Sequence, residues 1–329
     1  MICPTSIRPK SEVELLDCTV RDGGFTNDFS FNEAFVRRHM ATSSAIGCRY
    51  FEVGYLTDPS HLRSSDGFWR NVLPATIDTI RQTVRPDCKL SVMFDMWRYD
   101  ARSLPPRTDT PFDLVRICTY HSQVAETLEA CKRISRLGYE VSLNLICTSH
   151  IPSTTWGELR SRIDDSPFLD YLCLADSLGS LVPDDVKRAC SYFHGLPGLR
   201  LGFHAHDNLR LAMANALAAI QSGIDLLDAT YGGIGRGGGN LRLELIALYL
   251  RERHRQDLDL EGLFQHLDDT LDDLARAEFL QAMCGVLNVH PYRLRGLAHE
   301  RLNVVYGSLA DVPLSERVSY PTSPVAIER

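Results

Sequence analysis

The chain alternates between short apolar or β-branched runs and longer amphipathic stretches. Eight such runs stand out: VELLDCTV (13–20), YFEVGY (50–55), KLSVMF (89–94), DLVRICTY (113–120), EVSLNLICTS (140–149), YLCLADS (171–177), LRLGFHAH (199–206) and DLLDAT (225–230). Their apolar character is nearly continuous rather than alternating, as expected of strands buried on both faces of a parallel sheet. Helix signals separate most of them. One segment runs from Asn32 to Ile46 and stops at Gly47, another from Ser122 to Leu137 and stops at Gly138. A third starts after Pro183 with Asp184 and Asp185, where acidic side chains favour a helix N-terminus. The link between the third and fourth runs is the proline-rich RSLPPRTDTP, which predicts an irregular connection or a short helix.

Eight strand–helix units in about 240 residues close most naturally into a (β/α)8 barrel. The barrel is expected over residues 10–255. Beyond it, LEGLFQHLDDTLDDLARAEFLQAMCGVL has helical character without strand alternation. Residues 256–329 therefore read as a C-terminal helical appendage, with a polar tail from about Pro313.

Composition narrows the function classes. With 35 basic and 42 acidic residues the net charge is −7, and the basic residues are scattered. Nucleic acids and anionic membranes call for a dense positive patch, so neither is an expected partner. No apolar run approaches the roughly 18 residues that span a bilayer, and the N-terminus lacks the apolar segment of a secretory signal. The ten cysteines occur without a Cys-x-x-Cys pair, several within apolar runs (Cys118, Cys147, Cys173). That fits thiols acting as small buried hydrophobes in a reduced, cytoplasmic protein.

In such a barrel the residues just past the C-terminal ends of the strands face the active site. Here those positions carry Arg21, Asp22, Glu52, Asp95, Asp176, His204 and His206. In His204-Ala205-His206 the two-residue strand period turns both imidazoles to one face. One carboxylate added to them makes a divalent-metal site with open positions, and Asp22 beyond the first strand is suited to supply it. The competing reading is a pair of structural histidines at a strand end. Arg21 beside this site can hold a carboxylate or stabilise an enolate oxygen, or it can serve as an ion-pair partner of Glu52.

GGIGRGGGN (232–240) contains a G-x-G-x-x-G match at Gly233, Gly235 and Gly238. It follows the last strand instead of opening a βαβ unit, so a tight turn that carries Asn240 towards the metal is a better reading than nucleotide binding. Trp69, Trp97 and Tyr99 read as packing aromatics, and His121 and His290 as structural residues near helix starts.

LLDCTVRDGG, FEVGY and GFHAHDNLRLAMANALAAIQSGIDLLDATYGGIGRGGGN, in this order over residues 13–250, resemble the DRE-TIM metallolyases. These barrel enzymes include 4-hydroxy-2-oxovalerate aldolase, 3-hydroxy-3-methylglutaryl-CoA lyase and the isopropylmalate and homocitrate synthases. The resemblance implies that Asp22, His204 and His206 hold a divalent metal, Mn2+ or Mg2+, and that Asn240 completes or supports its shell. It implies that Arg21 steadies an enolate and that Glu52 is the family's conserved acid. HAHDNLRLA is more similar to the aldolases than to the synthases, which implies a class II aldolase acting on a 2-oxo acid and an aldehyde. Gly24 stands where the aldolases carry histidine and the synthases glutamine. The acid–base is therefore open among Asn27, Asp28, Tyr55, His121 and His290.

The alternatives are a Claisen-type acyl-CoA synthase or HMG-CoA-lyase-like enzyme on the same scaffold, a non-catalytic binding barrel, and a nicotinamide oxidoreductase. A homo-oligomer is compatible with the resemblance. Related aldolases often work beside an aldehyde dehydrogenase, but no residue here points to that partner.

Overall fold

The computed structural model describes residues 12–317 except 73, 83, 84, 96 and 99, so Tyr99 and most of the polar tail lie outside the described residues. Eight parallel strands, β1 Glu14–Asp17, β2 Tyr50–Tyr55, β3 Lys89–Asp95, β4 Leu114–Thr119, β5 Glu140–Leu145, β6 Tyr171–Asp176, β7 Arg200–Ala205 and β8 Leu226–Ala229, close into a barrel in sequence order. The helices are α1 Thr19–Gly23, α2 Glu33–Ile46, α3 Pro74–Arg81, α4 Val124–Arg136, α5 Trp156–Asp164, α6 Pro183–Ser191, α7 Ala212–Gln221 and α8 Leu243–His254. Three more, α9 Glu261–Thr270, α10 Asp273–Leu287 and α11 Leu302–Ala310, follow the barrel. The chain divides into two compact units, Met1–Leu243 and Glu244–Arg329. Among the described residues no helix is long and apolar enough to cross a membrane.

Local chemistry explains the helix boundaries. At the start of α2 the Asn32 side chain accepts a hydrogen bond from the Ala34 amide at 2.8 Å, and Gly47 ends the helix in the left-handed region at φ 102°. At α6, Pro183 occupies the first turn and the Asp185 carboxylate accepts from the Val182 amide at 3.2 Å. In the second unit, Asp272 caps α10 through the Ala275 amide at 2.8 Å, and Asn288 ends it at φ 54°. The proline-rich link between β3 and β4 forms two 3-10 turns, Ala101–Ser103 and Arg107–Asp109.

Two runs lose the most as strands, four residues each against their apolar pattern. β1 stops at Asp17 because the Asp17 carboxylate accepts from the Thr19 amide and hydroxyl, which turns the chain into α1. Arg21 and Asp22 therefore stand on a short helix and not on a strand end. β5 stops at Leu145, and a 3-10 turn, Thr148–His150, follows.

Inward-facing residues of the strands fill the barrel in layers. Near the N-terminal ends of the strands, Glu14, Lys89, Glu140 and Arg200 come from the odd strands, with Lys89 2.7 Å from Glu140 and Arg200 3.6 Å from Glu14. Next, Tyr50, Leu114, Tyr171 and Leu226 come from the four even strands and cluster with Leu16 and Cys18. Two residues further along those same even strands stand Glu52, Arg116, Cys173 and Asp228, all buried. The barrel thus carries, on its even strands, a charged set two residues above a mainly apolar one, beneath its C-terminal mouth.

Gly54, inside β2, sits at φ 149° where the β2–β3 register shifts. A Cβ there would clash with the Trp69 carbonyl oxygen, which is backbone and cannot yield. Gly54→Ala is expected to destabilise the barrel by about 2–4 kcal/mol, through overpacking and an unfavourable backbone conformation. Urea unfolding of variant and parent checks this.

Candidate metal centre and active site

The charged layer supports a chain of contacts that closes on itself. Arg116, fully buried, donates to Glu52 at 3.2 Å and to Asp228 at 2.6 Å. Glu52 also accepts from Arg21 Nε at 2.7 Å, and Arg21 Nη1 donates to Asp22 at 2.8 Å. On the other side, Asp228 lies 3.0 Å from His204 Nδ1, and His204 Nε2 lies 3.7 Å from Asp22 Oδ2. Charges of alternating sign therefore run Asp22–Arg21–Glu52–Arg116–Asp228, and the His204 ring closes the circuit back to Asp22.

This arrangement sets the protonation of the site. Burial disfavours the Asp22 carboxylate, but Arg21 and the two imidazoles more than offset it and hold the group well below the usual carboxylate range. Asp228 is likewise held down against its burial by Arg116 and His204. Burial, with His204 beside it, pushes His206 down to about 4, so that ring is neutral near pH 7. With the Asp228 carboxylate at its Nδ1, His204 places a proton there and leaves Nε2 as a lone-pair donor. His206 directs Nδ1 to the Gly239 carbonyl at 3.3 Å, with the same consequence for its Nε2.

Asp22, His204 and His206 can each offer a ligand atom, and these atoms lie within 4.8 Å of one another. A carboxylate and two imidazoles are the donor set of a divalent cation. Asn240 joins them: His206 and Asn240 form an isolated antiparallel bridge, and the Asn240 amide donates to Asp22 Oδ2. Its Oδ1 is buried with no hydrogen-bond partner among the described residues. A Cβ at Gly235 would overlap the Asn240 amide and come 3.0 Å from Asp22, so this glycine makes room for the approach. The glycine segment thus forms a tight turn carrying Asn240 to Asp22. A second grouping, Cys18, His204 and Asp228, is a poorer fit. Burial pushes the Cys18 thiol up, and Asp228 is already bonded to Arg116.

The site opens into a cavity of about 390 Å³. Arg21, Asp22, His204 and His206 line one side; Tyr55, Asp95 and Cys118 stand at neighbouring strand ends; Phe25, Trp97 and Tyr120 form the rim. Trp97 and Tyr120 stack at 5.7 Å and 20°. Trp97 is thus a cavity residue, whereas Trp69 is a buried packing residue.

Other sequence-derived candidates are dispersed. Glu52 is fully buried and absent from the cavity wall, so it acts on Arg21 and not on a bound molecule. Asp176 accepts from the Ser180 and Leu181 amides and closes a turn. Asp28 pairs with Arg63 at 3.1 Å on the surface, His121 lines a separate pocket, and Asn27 is not on the cavity wall. In the second unit His290 caps a 3-10 turn by accepting from the Tyr292 amide at 3.1 Å. The gap assigned to Gly24 moves by one residue. Gly24 abuts the Phe29 ring, while the 3-10 turn Gly24–Thr26 brings Phe25 to the cavity wall. A phenyl ring, not a glycine, faces the site.

Sequence reasoning missed Arg116 and Asp228. An arginine inside the apolar run DLVRICTY was the available signal, since a charge in a buried strand must have partners there.

Barrel, charged layer and donor triad together define a metal-dependent carbon–carbon lyase. The chain belongs to the HMGL-like family, whose model matches residues 12–270. It is 27% identical over 297 residues to oxaloacetate decarboxylase of Mycobacterium tuberculosis, a match covering 85% of this chain and 80% of that one. It is 27% identical over 269 residues to 4-hydroxy-2-oxovalerate aldolase of Geobacillus genomosp. 3, covering 81% and 79%. The HMG-CoA lyase structure from Bacillus subtilis shares the fold, with a TM-score of 0.58, 17% identity and coverage of 79% and 92%.

Removing the guanidinium of Arg116 would strip one partner from each of two buried carboxylates, leaving Glu52 with Arg21 alone and Asp228 with His204. Arg116→Met is expected to cost about 3–5 kcal/mol of stability, the range for stripping one partner from a buried ion pair. Chemical denaturation measures it, and a loss below 1 kcal/mol would mean that the charged layer does not depend on this residue.

Proposed function

We propose that the chain is a class II aldolase that forms or cleaves the bond between a 2-oxo acid and an aldehyde through an enolate. The observation carrying this reading is the convergence of Asp22, His204 and His206 beside Arg21 on one cavity wall. Asp22, His204 and His206 would hold the ion, Mn2+ or Mg2+, with Asn240 supporting them. When bound, it supplies Lewis-acid polarisation of the keto group.

Arg21 is fixed by two bonds, Nε to Glu52 and Nη1 to Asp22, which leave Nη2 outside both. That donor stabilises the C2 oxygen as negative charge develops, and the prior fixation lowers the reorganisation needed during the reaction. Asp228 and the Gly239 carbonyl hold the two imidazoles in the tautomer that presents Nε2. Phe25, Trp97 and Tyr120 cover the mouth and limit water, which protects an enolate from premature protonation.

In the cleavage direction, the C4 hydroxyl loses its proton and the C3–C4 bond breaks. The aldehyde leaves, and the electron pair passes to the C2–C3 enolate, which is then protonated at C3. A second reading, decarboxylation of a 2-oxo dicarboxylic acid, is favoured by the similarity to oxaloacetate decarboxylase. It uses the same enolate, with carbon dioxide as the departing fragment.

Enolate formation needs no aldehyde. In heavy water with Mn2+ or Mg2+, the protein is expected to exchange the methyl protons of pyruvate, seen by proton NMR. A chelator or His206→Ala should abolish the exchange. Failure to exchange any 2-oxo acid under either metal would remove the enolate mechanism. Arg21→Lys keeps the charge but loses the planar fork. It is expected to slow exchange by about 100-fold or more while metal stoichiometry is unchanged. Near-parental exchange would reduce Arg21 to an ion-pair partner.

A further inference from the structure

We propose that Asp95 is the acid–base of this site, taking the proton from the C4 hydroxyl in cleavage and from C3 in the condensation direction. The inference rests on the aldolase reading above, which leaves the proton-transfer group unassigned. Only two carboxylates line the cavity among the described residues, Asp22 and Asp95, and Asp22 belongs to the metal-ligand set. Asp95 ends β3, while His204 stands on β7, four strands away in a closed ring of eight. The two therefore face each other across the cavity. A 2-oxo acid held on the β7 side extends its C3 and C4 towards β3.

The environment of Asp95 separates it from the structural aspartates. Asp17, Asp113, Asp176 and Asp228 are tied down by short hydrogen bonds to side chains or backbone amides. No hydrogen bond to the Asp95 carboxylate occurs among the described residues; its closest charged neighbours are Arg98 at 3.8 Å and Arg70 at 4.0 Å. Such a carboxylate is free to bond a substrate hydroxyl.

The groups facing it are Arg70 before α3, Arg98 beyond β3, Arg21 on α1, Arg236 after β8, and Tyr55 and Cys118 on the flanking strands. Burial raises the Asp95 carboxyl above its usual value against the pull of these four arginines. A higher value makes the carboxylate a stronger base while it remains ionised near neutrality. Tyr55 and Cys118 are pushed up by burial and stay protonated.

Because the folded value is raised, exchange of pyruvate methyl protons should rise with pH through a midpoint above the ordinary aspartate value and then level off. Asp95→Asn is expected to slow exchange by about 100- to 10,000-fold. Mn2+ stoichiometry, thermal melting and the affinity for oxalate, an enolate mimic without an exchangeable proton, should stay close to parental. Asp95→Glu should recover part of the exchange. In metal-free protein labelled at the aspartate carboxyl carbons, carbon NMR should show a carboxyl titrating above the ordinary range that is missing in Asp95→Asn. Parental exchange by a folded Asp95→Asn overturns the assignment and leaves the aldolase reading standing. No exchange by the parent with any 2-oxo acid overturns the aldolase reading itself, and with it the reaction Asp95 would serve. If Asp95→Asn does not fold, the Asp95→Glu exchange and pH profile decide, and a profile identical to the parent's in rate and midpoint counts against Asp95.

Discussion

The structure depends on one guanidinium in the middle of its barrel. Taking a charge out of water costs several kcal/mol unless partners replace the lost hydration. Arg116 meets that requirement with two carboxylates, Glu52 from β2 and Asp228 from β8. Each carboxylate reaches one step further, Glu52 to Arg21 and Asp228 to His204. The residue that solves the electrostatics of the core therefore also orients the two halves of the active site. A hydrophobic barrel interior could match its stability but would leave Arg21 and His204 without fixed directions.

The site has an asymmetric wall, and its chemistry follows from that. The side formed by α1, β7 and the loop after β8 gathers the Asp22, His204 and His206 donor atoms, the Arg21 guanidinium and Asn240. The β3 side carries Asp95, whose carboxylate accepts no hydrogen bond among the described residues, near a rim of aromatic rings. Charge is concentrated on the first side, where Arg21, Asp22 and the two histidines stand, and is thinner towards the aromatic rim. The cluster of glycines serves the first side: the loop between β8 and α8 must fold back tightly for Asn240 to meet both His206 and Asp22. Gly235 lacks the Cβ that would obstruct the meeting.

Much of this was legible before any coordinates. The eight runs correspond to the eight strands because apolar continuity is what burial on both sheet faces demands. His204 and His206 were visible because a two-residue period is local information, and Asp22 because it stands just past a strand. The misplacement at Gly24 has an equally local cause. The turn after α1 sends the Gly24 position against Phe29 and brings Phe25 to the cavity, and no pattern in RDGGF distinguishes those two directions.

By itself, then, the sequence determined the strand and helix order, the closed parallel barrel, the Asp22, His204 and His206 grouping and the family, since each rests on periodicity or on recognisable local motifs. Tertiary structure alone decided which charges are neighbours. Arg116 and Asp228 are 112 positions apart, and Asp22 and Asn240 are 218 apart, yet each pair is in hydrogen-bond contact. Such pairings depend on barrel closure and strand register, which set which side chains share a layer. The same closure turns Asp95 from one charged strand end among several into a carboxylate facing the histidines across the cavity.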